Sequence, residues 1–330
     1  MHKIFRWGIL STANIGRKAM IPALQASSMA AVTAVASRDA QRARQFADDL
    51  NIPKSYGDYQ ALLDDPEIDA VYIPLPNHLH KPWTLKAAQA GKHILCEKPL
   101  ALTPAECQEM FAAAEDHGVL LMESFMYRHH PRIQAAARRV RAGELGQIKT
   151  IESAFTFRLQ DQHDIRYQPE MGGGSVMDVG CYCINLSRLM AGRDPQTVQA
   201  RAAWSETGVD EQMVGVLDFG EGLLAHFDCG FNQSHRQRAI IAGTERFMVL
   251  RDVFLPGTGE TRIHIVQGNE QQIESFEGVD EYRLIAEDFM RSVEKGEPPT
   301  PGEDAIANMR VIQSLIESAR RDGKPVRVAE

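Results

Sequence analysis

The chain lacks long apolar segments and an excess of positive charge, and both absences restrict its class. No hydrophobic run reaches the length of a membrane span, and no apolar signal-peptide region follows the N-terminus. These observations favour a cytoplasmic protein without membrane contact. Lysine and arginine number 36 against 44 aspartates and glutamates, which gives a formal net charge of -8. An acidic surface repels phosphate backbones, so we expect no nucleic-acid partner.

Cysteine is also scarce, with five residues in an odd-numbered set. Two of them fall on apolar helical stripes and one ends an apolar strand pattern, so we expect reduced thiols in the core. Cys181-x-Cys183 lacks a second cysteine pair, and His78-x-His80 lacks a third ligand. The sequence therefore predicts no metal site.

Strand and helix patterns alternate between Ile4 and Glu123. Short apolar runs such as "KIFRWGIL", "AAVTAVA" and "DAVYIPLP" are each followed by a helical pattern. This order predicts an α/β domain with a doubly wound parallel sheet and helices on both faces, the Rossmann arrangement. In such sheets ligands bind at the carboxyl ends of the strands, where the strand order reverses. We therefore expect the chemistry just after each strand.

Strand patterns dominate after Ser124. Several of them, such as "EQMVGVLDF" and "TRIHIV", alternate apolar and polar residues. This alternation predicts an α+β domain with a large, mostly antiparallel, open-faced sheet. A length of 330 residues with 44% hydrophobic residues suits a globular chain of two domains. No glycine- or proline-rich linker marks the seam, and we place the domains at residues 1–124 and 125–330.

One helix of the first domain is marked at both ends. Thr103 can cap its start, Pro104 suits its first turn, and Glu106 completes a capping box. Apolar residues then repeat at helical spacing until Gly118, which is a typical C-terminal residue. The pattern predicts a helix that begins at Pro104.

The first strand pattern leads into a turn with the layout of a dinucleotide-binding loop. In "GILSTANIG", Ser11, Ala13 and Gly16 occupy the three positions that are glycine in the usual fingerprint. Small residues at these positions still allow pyrophosphate binding if the turn tolerates a Cβ, because the backbone N–H groups of the helix N-terminus remain available to the pyrophosphate. The pattern alone also fits an ordinary strand-to-helix turn. On the binding interpretation the cofactor contacts are Ser11, Thr12, Ala13, Asn14 and Ile15.

The end of the second strand pattern favours NADP over NAD. About twenty residues beyond Gly16 stand Ser37 and Arg38, where an acidic residue would bind the ribose hydroxyls of NAD. A serine hydroxyl and an arginine suit a phosphate instead, and Arg42, one helical turn on, adds charge. The alternative is that both arginines are solvated surface residues and Asp39 caps the helix.

Glu97, Lys98 and Pro99 follow the apolar run "KHILC". A lysine at the end of a parallel strand lies on the rim of the expected cleft. Desolvation there lowers the pKa of an ammonium group toward the range that is useful for proton transfer. The alternative is an exposed Lys98 beside Glu97 without a chemical role.

Taken together, these segments carry a family resemblance over nearly the whole chain. In "WGILSTANIG", "PNHLHKPWTLKAAQAGKHILCEKP" and "GGGSVMDVGCY" it resembles the glucose-fructose oxidoreductase / inositol dehydrogenase / rhizopine catabolism (Gfo/Idh/MocA) family of NAD(P)-dependent sugar and polyol oxidoreductases. In "ESFMYRHHP" and "RYQPEMGGGSVMDVGCY" it is most similar to the branch of NADP-dependent D-xylose and trans-1,2-dihydrobenzene-1,2-diol dehydrogenases. The resemblance implies an NADP-binding Rossmann domain at residues 1–124. It also implies a substrate-binding and oligomerisation domain at residues 125–330.

The resemblance also implies roles for individual residues. The family lysine falls on Lys98, where it binds the reacting hydroxyl and the nicotinamide ribose, and the bond to Pro99 is often cis. Asn77 and His80 occupy positions on the nicotinamide side, and Arg166 falls where relatives approach the cofactor. The remaining cofactor contacts that we place on this basis are Leu75 and Glu97.

In the second domain a glycine-rich turn, residues 172–174, leads into a helix that bears Asp178 and Tyr182. Four residues apart, these side chains lie on one face of a helix. Many family members have histidine, the proton acceptor, at the second position, whereas tyrosine is usual in the xylose and dihydrodiol branch. Because an unperturbed tyrosine pKa near 10 makes a poor base, Tyr182 is either a proton relay or only a substrate ligand. Asp178 either orients a substrate hydroxyl or the base, or only satisfies a helix N-terminus.

These features predict hydride transfer between NADP and a carbinol carbon of a sugar, polyol or cyclic trans-diol. The catalytic residues would be Lys98, Tyr182 and Asp178. Two alternatives stand beside this function: a glycosidase or lyase that keeps its nicotinamide bound, and a non-catalytic NADP-sensing regulator. The open face of the second sheet predicts a homodimer or a dimer of dimers.

Overall fold

The computed structural model describes residues 4–297 and 300–328, and these residues form two units. The first unit takes the described residues up to Met126 together with those from Asp280 to Ile306. The second takes Tyr127–Val279 and the described residues from Ala307 onward. The division differs from the boundary expected at residue 124, because residues 280–306 join the first unit.

The first unit is built on six strands that pair in parallel throughout. The strands are β1 (Phe5–Leu10), β2 (Ala30–Ala36), β3 (Lys54–Tyr56), β4 (Ala70–Ile73), β5 (His93–Cys96) and β6 (Leu121–Glu123). Their order is β3-β2-β1-β4-β5-β6, so the order reverses beside β1. The predicted Rossmann sheet is confirmed, and its switch point lies where β1 and β4 end.

Five helices connect these strands, and the first follows a π-helical turn, Gly16–Met20. They are α1 (Ile21–Gln25), α2 (Ala40–Asp49), α3 (Tyr59–Leu63), α4 (His80–Gln89) and α5 (Pro104–Asp116). Helix α5 begins as the sequence predicts. Thr103 Oγ1 accepts a hydrogen bond from Glu106 N at 3.1 Å, and Glu106 Oε2 accepts one from Leu102 N at 2.9 Å.

The second unit is built on a mixed sheet of nine strands. They are β7 (Ile148–Arg158), β8 (Thr197–Trp204), β9 (Asp210–Asp218), β10 (Leu224–Gly230), β11 (Asn232–Gly243), β12 (Phe247–Arg251), β13 (Thr261–Gln267), β14 (Glu270–Phe276) and β15 (Val326–Arg327). The order is β14-β13-β12-β11-β7-β10-β9-β8-β15, and all neighbours are antiparallel except β7 and β10. The predicted large, mostly antiparallel sheet is thereby confirmed.

This unit also contains helix α6 (Pro131–Arg141), which comes before β7 in the chain, and helix α7 (Cys181–Ala191), which lies between β7 and β8. The strands alternate between a covered and an open face, as in β9, where Met213 and Leu217 are buried but Val214 and Val216 are exposed. Strand pairing places the exposed Ile273 in the same row as Val216 across the sheet. One face of the sheet therefore carries exposed apolar side chains.

Two further helices, α8 (Glu281–Lys295) and α9 (Gly302–Arg320), lie between β14 and β15 in the chain. Helix α8 belongs to the first unit, where the ring of Phe289 packs 5.2 Å from that of Trp7 on β1. This buried aromatic contact packs α8 against the sheet of the first unit. The five cysteines are buried thiols, as predicted. Within residues 4–297 and 300–328 no helix combines the length and apolar character needed to cross a bilayer.

Candidate active site

The turn after β1 places Ser11 in a backbone region that usually requires glycine. Its φ is 151°, and its hydroxyl donates to Pro74 O at 3.1 Å and accepts from Ala13 N at 2.9 Å. These two bonds hold the strained residue in place and join the ends of β1 and β4 at the switch point. The turn thus keeps the shape of a dinucleotide-binding loop, although serine replaces the first glycine.

An open groove of about 490 Å³ lies beside this turn in the first unit. Three predicted residues line it: Thr12, Asn14 and Arg42. Arg17 also lines it, although no sequence motif indicates this residue. The Arg17 guanidinium lies 4.5 Å from the centroid of the Phe46 ring, and its Nη2 donates to Asp49 Oδ2 at 2.9 Å. We call this feature the arginine groove; its lining is Thr12, Asn14, Arg17, Asp39, Gln41, Arg42, Gln45 and Phe46.

Ser37 and Arg38 stand near the arginine groove but do not line it. Ser37 is buried, and its hydroxyl oxygen accepts a hydrogen bond from Asp39 N at 3.3 Å. Because this bond uses only an acceptor site, the hydroxyl can still donate its own proton to a ligand. The Asp39 side chain accepts from Arg42 N at 3.0 Å and caps α2. Burial raises the pKa of Tyr59, and the nearby charges of Arg38 and Arg42 oppose that rise. The Asp39 cap is therefore present, and it leaves the side chain of Arg42 on the groove.

Lys98 lies on a turn after β5 that hydrogen bonds fix from several sides. The Lys98–Pro99 peptide is cis, as the resemblance implied. The Tyr72 hydroxyl donates to Glu97 Oε1 at 2.5 Å, and Leu100 N donates to Glu123 Oε1 at 2.8 Å. Burial raises the pKa of the Glu97 carboxyl, while the Lys98 charge and the Tyr72 hydroxyl oppose that rise. Lys98 itself is only partly exposed.

His80, which the resemblance places on the nicotinamide side, is buried beneath the Lys98 turn. Its Nδ1 lies 3.0 Å from Pro99 O and its Nε2 lies 2.8 Å from Leu75 O. Its side chain is 0% exposed, and burial lowers its pKa to about 4. Both ring nitrogens are therefore used inside the fold, where the imidazole links the segment after β4 to the lysine turn. Asn77, in the short turn Asn77–Leu79, keeps partial exposure.

In the second unit, Arg166 and Asp178 form an ion pair. Arg166 Nε donates to Asp178 Oδ2 at 2.7 Å, and Arg166 Nη1 donates to Asp164 Oδ1 at 3.1 Å. The two carboxylates raise the pKa of Arg166 further above its already high range. Because arginine stays charged and an opposite charge favours the ionised carboxyl, this pair keeps Asp178 a hydrogen-bond acceptor.

The glycine-rich turn holds this pair together. Gly174 N donates to Arg166 O at 2.9 Å, and a Cβ added to Gly173 would stand only 2.4 Å from the same oxygen. Only glycine allows the two backbone segments to approach this closely. Asp178 then lies in a π-helical turn, Val176–Gly180, directly before α7. Such turns are frequent at functional sites, and the sequence analysis expected an ordinary helix there.

Tyr182 stands on α7 within an aromatic cluster and is only 5% exposed. Its ring centroid lies 5.9 Å from Tyr127, 5.5 Å from Phe155 and 5.4 Å from Phe254. The Tyr127 hydroxyl in turn donates to Asn185 Oδ1 at 2.5 Å. The contacts between rings restrict the orientation of the Tyr182 ring.

Comparison with known proteins finds similar sequences and structures over most of the chain. The chain is 43% identical over 316 residues to D-xylose 1-dehydrogenase (NADP(+)) 2 of Haloferax volcanii, covering 95% of this chain and 97% of the relative. It is 34% identical to trans-1,2-dihydrobenzene-1,2-diol dehydrogenase of Mus musculus, over 76% of each chain. KijD10, a 3-ketoreductase of Actinomadura kijaniata solved with NADP and TDP-benzene, superposes with a TM-score of 0.91 at 30% identity, covering 95% of this chain and 97% of KijD10. Other KijD10 structures carry a lysine-to-alanine or a tyrosine-to-phenylalanine substitution.

Family models match both parts of the chain. The model of an oxidoreductase family with an NAD-binding Rossmann fold matches residues 5–125. The model of the GFO/IDH/MocA C-terminal domain matches residues 133–249. The chain therefore belongs to the GFO/IDH/MocA family of oxidoreductases, as its sequence motifs indicated.

Proposed function

We propose that this family member is an NADP-dependent dehydrogenase that oxidises a carbinol carbon of a sugar, polyol or cyclic trans-diol, or reduces the matching carbonyl. The observation that carries the proposal is the fixed turn that bears Lys98. Contacts to Glu97, Glu123 and Pro99 hold this turn at the carboxyl end of β5, where such sheets bind ligands. A held ammonium group beside a bound cofactor is suited to bind and exchange the proton of a reacting hydroxyl.

The first unit fits a dinucleotide with a 2′-phosphate. The Ser11 turn leads into a helix start whose backbone N–H groups suit a pyrophosphate. In the arginine groove, Arg17 and Arg42 supply two cations of the kind that bind a terminal phosphate. The xylose dehydrogenase named above uses NADP(+), and KijD10 was solved with NADP, which supports the same choice here. When bound, the cofactor supplies the carbon that accepts or donates the hydride.

Three residues of this chain would bind and orient the alcohol and transfer its proton. Lys98 and Tyr182 bind its oxygen and pass on its proton, while Asp178, held ionised by Arg166, orients a substrate hydroxyl. The lysine and the tyrosine replaced in KijD10 variants are separated by the same number of residues as Lys98 and Tyr182, which supports the assignment.

A substrate screen tests the proposal. The protein is incubated with NADP and a panel of pentoses, hexoses, anhydro sugars and trans-diols, and NADPH formation is followed by its absorbance. We expect NADPH with at least one alcohol and slower turnover with NAD. Tight NADP binding without any turnover, or product release without a lasting change in nicotinamide absorbance, would contradict the proposal.

We also propose a cytoplasmic homodimer or dimer of dimers that forms through the open sheet face. Val216 and Ile273 are 39% and 51% exposed on that face, and burying such apolar area favours association. Sedimentation should show a dimer or tetramer for the wild type, a smaller species for Val216→Glu, and no change for Leu255→Glu, which alters an exposed apolar residue outside the sheet strands. A monomeric wild type would contradict this proposal.

A further inference from the structure

The helix start that carries Asp178 receives its capping group from a distant strand. Ser175, the residue before the π-helical turn, has helical backbone angles and its own side chain caps nothing. Asp210, the first residue of β9, supplies the missing acceptor. Its Oδ2 accepts from the Ser175 hydroxyl at 2.6 Å and from Val176 N at 2.8 Å. The first N–H groups of a helix need such partners, and here a carboxylate 34 residues away provides one.

The backbone around this contact is so close to the Asp210 carboxylate that a larger residue than glycine does not fit beside it. A Cβ added to Gly174, whose φ is 118°, would stand 2.3 Å from Asp210 Oδ1. The Ser175 hydroxyl also lies 3.4 Å from Cys229 Sγ on β10. Asp210, Ser175 and Cys229 are all buried. Two adjacent strands of the sheet therefore fix one end of the segment that leads to Asp178.

This arrangement differs from the caps of α2, α5 and α8. Thr103, Asp39 and Asp280 each cap the helix that follows them directly, with a local contact. Burying a carboxylate is costly unless hydrogen bonds satisfy it, and a local cap would avoid that cost. What the remote carboxylate adds is a fixed relation between the helix start and the sheet. Asp178 lies two residues beyond Val176, and its N–H donates to Gly174 O at 3.1 Å.

We propose that Asp210 is a positioning residue for the reaction. By holding Ser175 and Val176 against β9, it sets the place of Asp178, two residues further along the same helical segment. The inference rests on the proposed function, because Asp178, whose placement it concerns, is assigned to the alcohol there.

A double-mutant cycle tests this role on the full chain. Asp210→Asn retains the shape of the side chain but weakens its acceptor. We expect it to lower kcat for the best alcohol by about 10- to 100-fold, the effect of a small misplacement, with the KM for NADP unchanged. In the Asp178→Asn background, the same change should cost almost nothing further. A residue that acts only on folding would give the same fold loss in both backgrounds.

Two further variants complete the test. Asp218→Asn is the matched control, because Asp218 also lies on β9 and accepts a backbone N–H, from Gly220 at 2.8 Å, but is exposed. We expect it to leave kcat unchanged. If Asp210→Asn does not fold, Ser175→Ala removes one of the two contacts and should show the same coupling to Asp178.

These experiments distinguish a failure of the proposed function from a failure of the positioning role of Asp210. A wild type without turnover on any alcohol overturns the proposed function and, with it, the positioning role. An active wild type overturns the positioning role alone if Asp210→Asn retains kcat within twofold, or if it loses the same factor in both backgrounds.

Discussion

Arg166 Nε donates to Asp178 Oδ2 across 2.7 Å, so these two residues form an ion pair in one unit of the chain. Sequence reasoning assigned them separate roles, with Arg166 at the cofactor and Asp178 at the substrate. The pair keeps Asp178 in its acceptor form, because an arginine does not release its proton. An ionised carboxylate can orient a hydroxyl but has no proton to deliver. In the proposed reaction, we therefore expect Asp178 to orient the alcohol and not to carry its proton.

Removing the guanidinium should release Asp178 from this geometry. We expect Arg166→Gln to lower kcat for the best alcohol by about 10- to 100-fold, because a displaced carboxylate no longer orients the reacting group. Arg193→Gln is the matched control, since Arg193 pairs with Glu221 at 2.7 Å on an exposed part of the second unit. Steady-state kinetics with both variants provide the measurement. Equal kcat values for Arg166→Gln and Arg193→Gln would show that the ion pair has no role in turnover.

The arginine groove should determine the choice between NADP and NAD. Arg17→Ala and Arg42→Ala should each raise the KM for NADP by about 10-fold or more, because each removes a charged partner of the 2′-phosphate. The KM for NAD, which lacks that phosphate, should change little. Arg44→Ala is a matched control, because Arg44 lies exposed on the same helix but does not line the groove. An equal loss of affinity for NADP and NAD would mean that the 2′-phosphate does not bind in the arginine groove.

Buried His80 should make the fold sensitive to acid. Burial lowers its pKa to about 4, below the value of about 6.5 expected in the unfolded chain. The folded state therefore binds fewer protons, and stability that is fully present above pH 6.5 is lost as the pH falls toward 4. A difference of this size corresponds to about 3 kcal/mol. His130, buried in the second unit with a pKa also lowered to about 4, acts in the same window.

The His80 contribution can be isolated by comparing wild type with His80→Gln. The unfolding free energy of the variant, measured by urea denaturation, should lie below that of the wild type at neutral pH. The gap should narrow as the pH falls from about 6.5 to 4, because only the wild type then loses the His80 contribution. A gap that stays constant over this range would mean that His80 does not remain neutral in the folded state.

Local contacts were predictable from the sequence, and long-range ones were not. The start of α5 follows from Thr103 and Glu106, three positions apart, so the pattern alone specified its capping box. Arg17 was missed because its place depends on Phe46 and on Asp49, 32 residues away on another helix. No spacing rule connects such positions.

The same limit applies to other contacts. The two carbonyl partners of His80 belong to chain segments that only the folded backbone brings together, so no sequence pattern indicates them. Asp210 carries no motif, because its contact with Ser175 depends on where β9 begins relative to the glycine-rich turn. Helix α8 packs on the first unit through the contact of Phe289 with Trp7. An amphipathic pattern predicts that a helix has an apolar face, but it does not indicate which sheet that face covers.

The central claim is that Lys98 exchanges the proton of the alcohol. The most direct test compares wild type, Lys98→Ala and the control Lys149→Ala, with kcat measured on the best alcohol and NADP affinity measured by fluorescence titration. We predict that Lys98→Ala lowers kcat by about 10²- to 10⁴-fold, the usual contribution of general acid–base catalysis, while NADP affinity stays within a few-fold and Lys149→Ala behaves as wild type. Full turnover by Lys98→Ala would contradict the account.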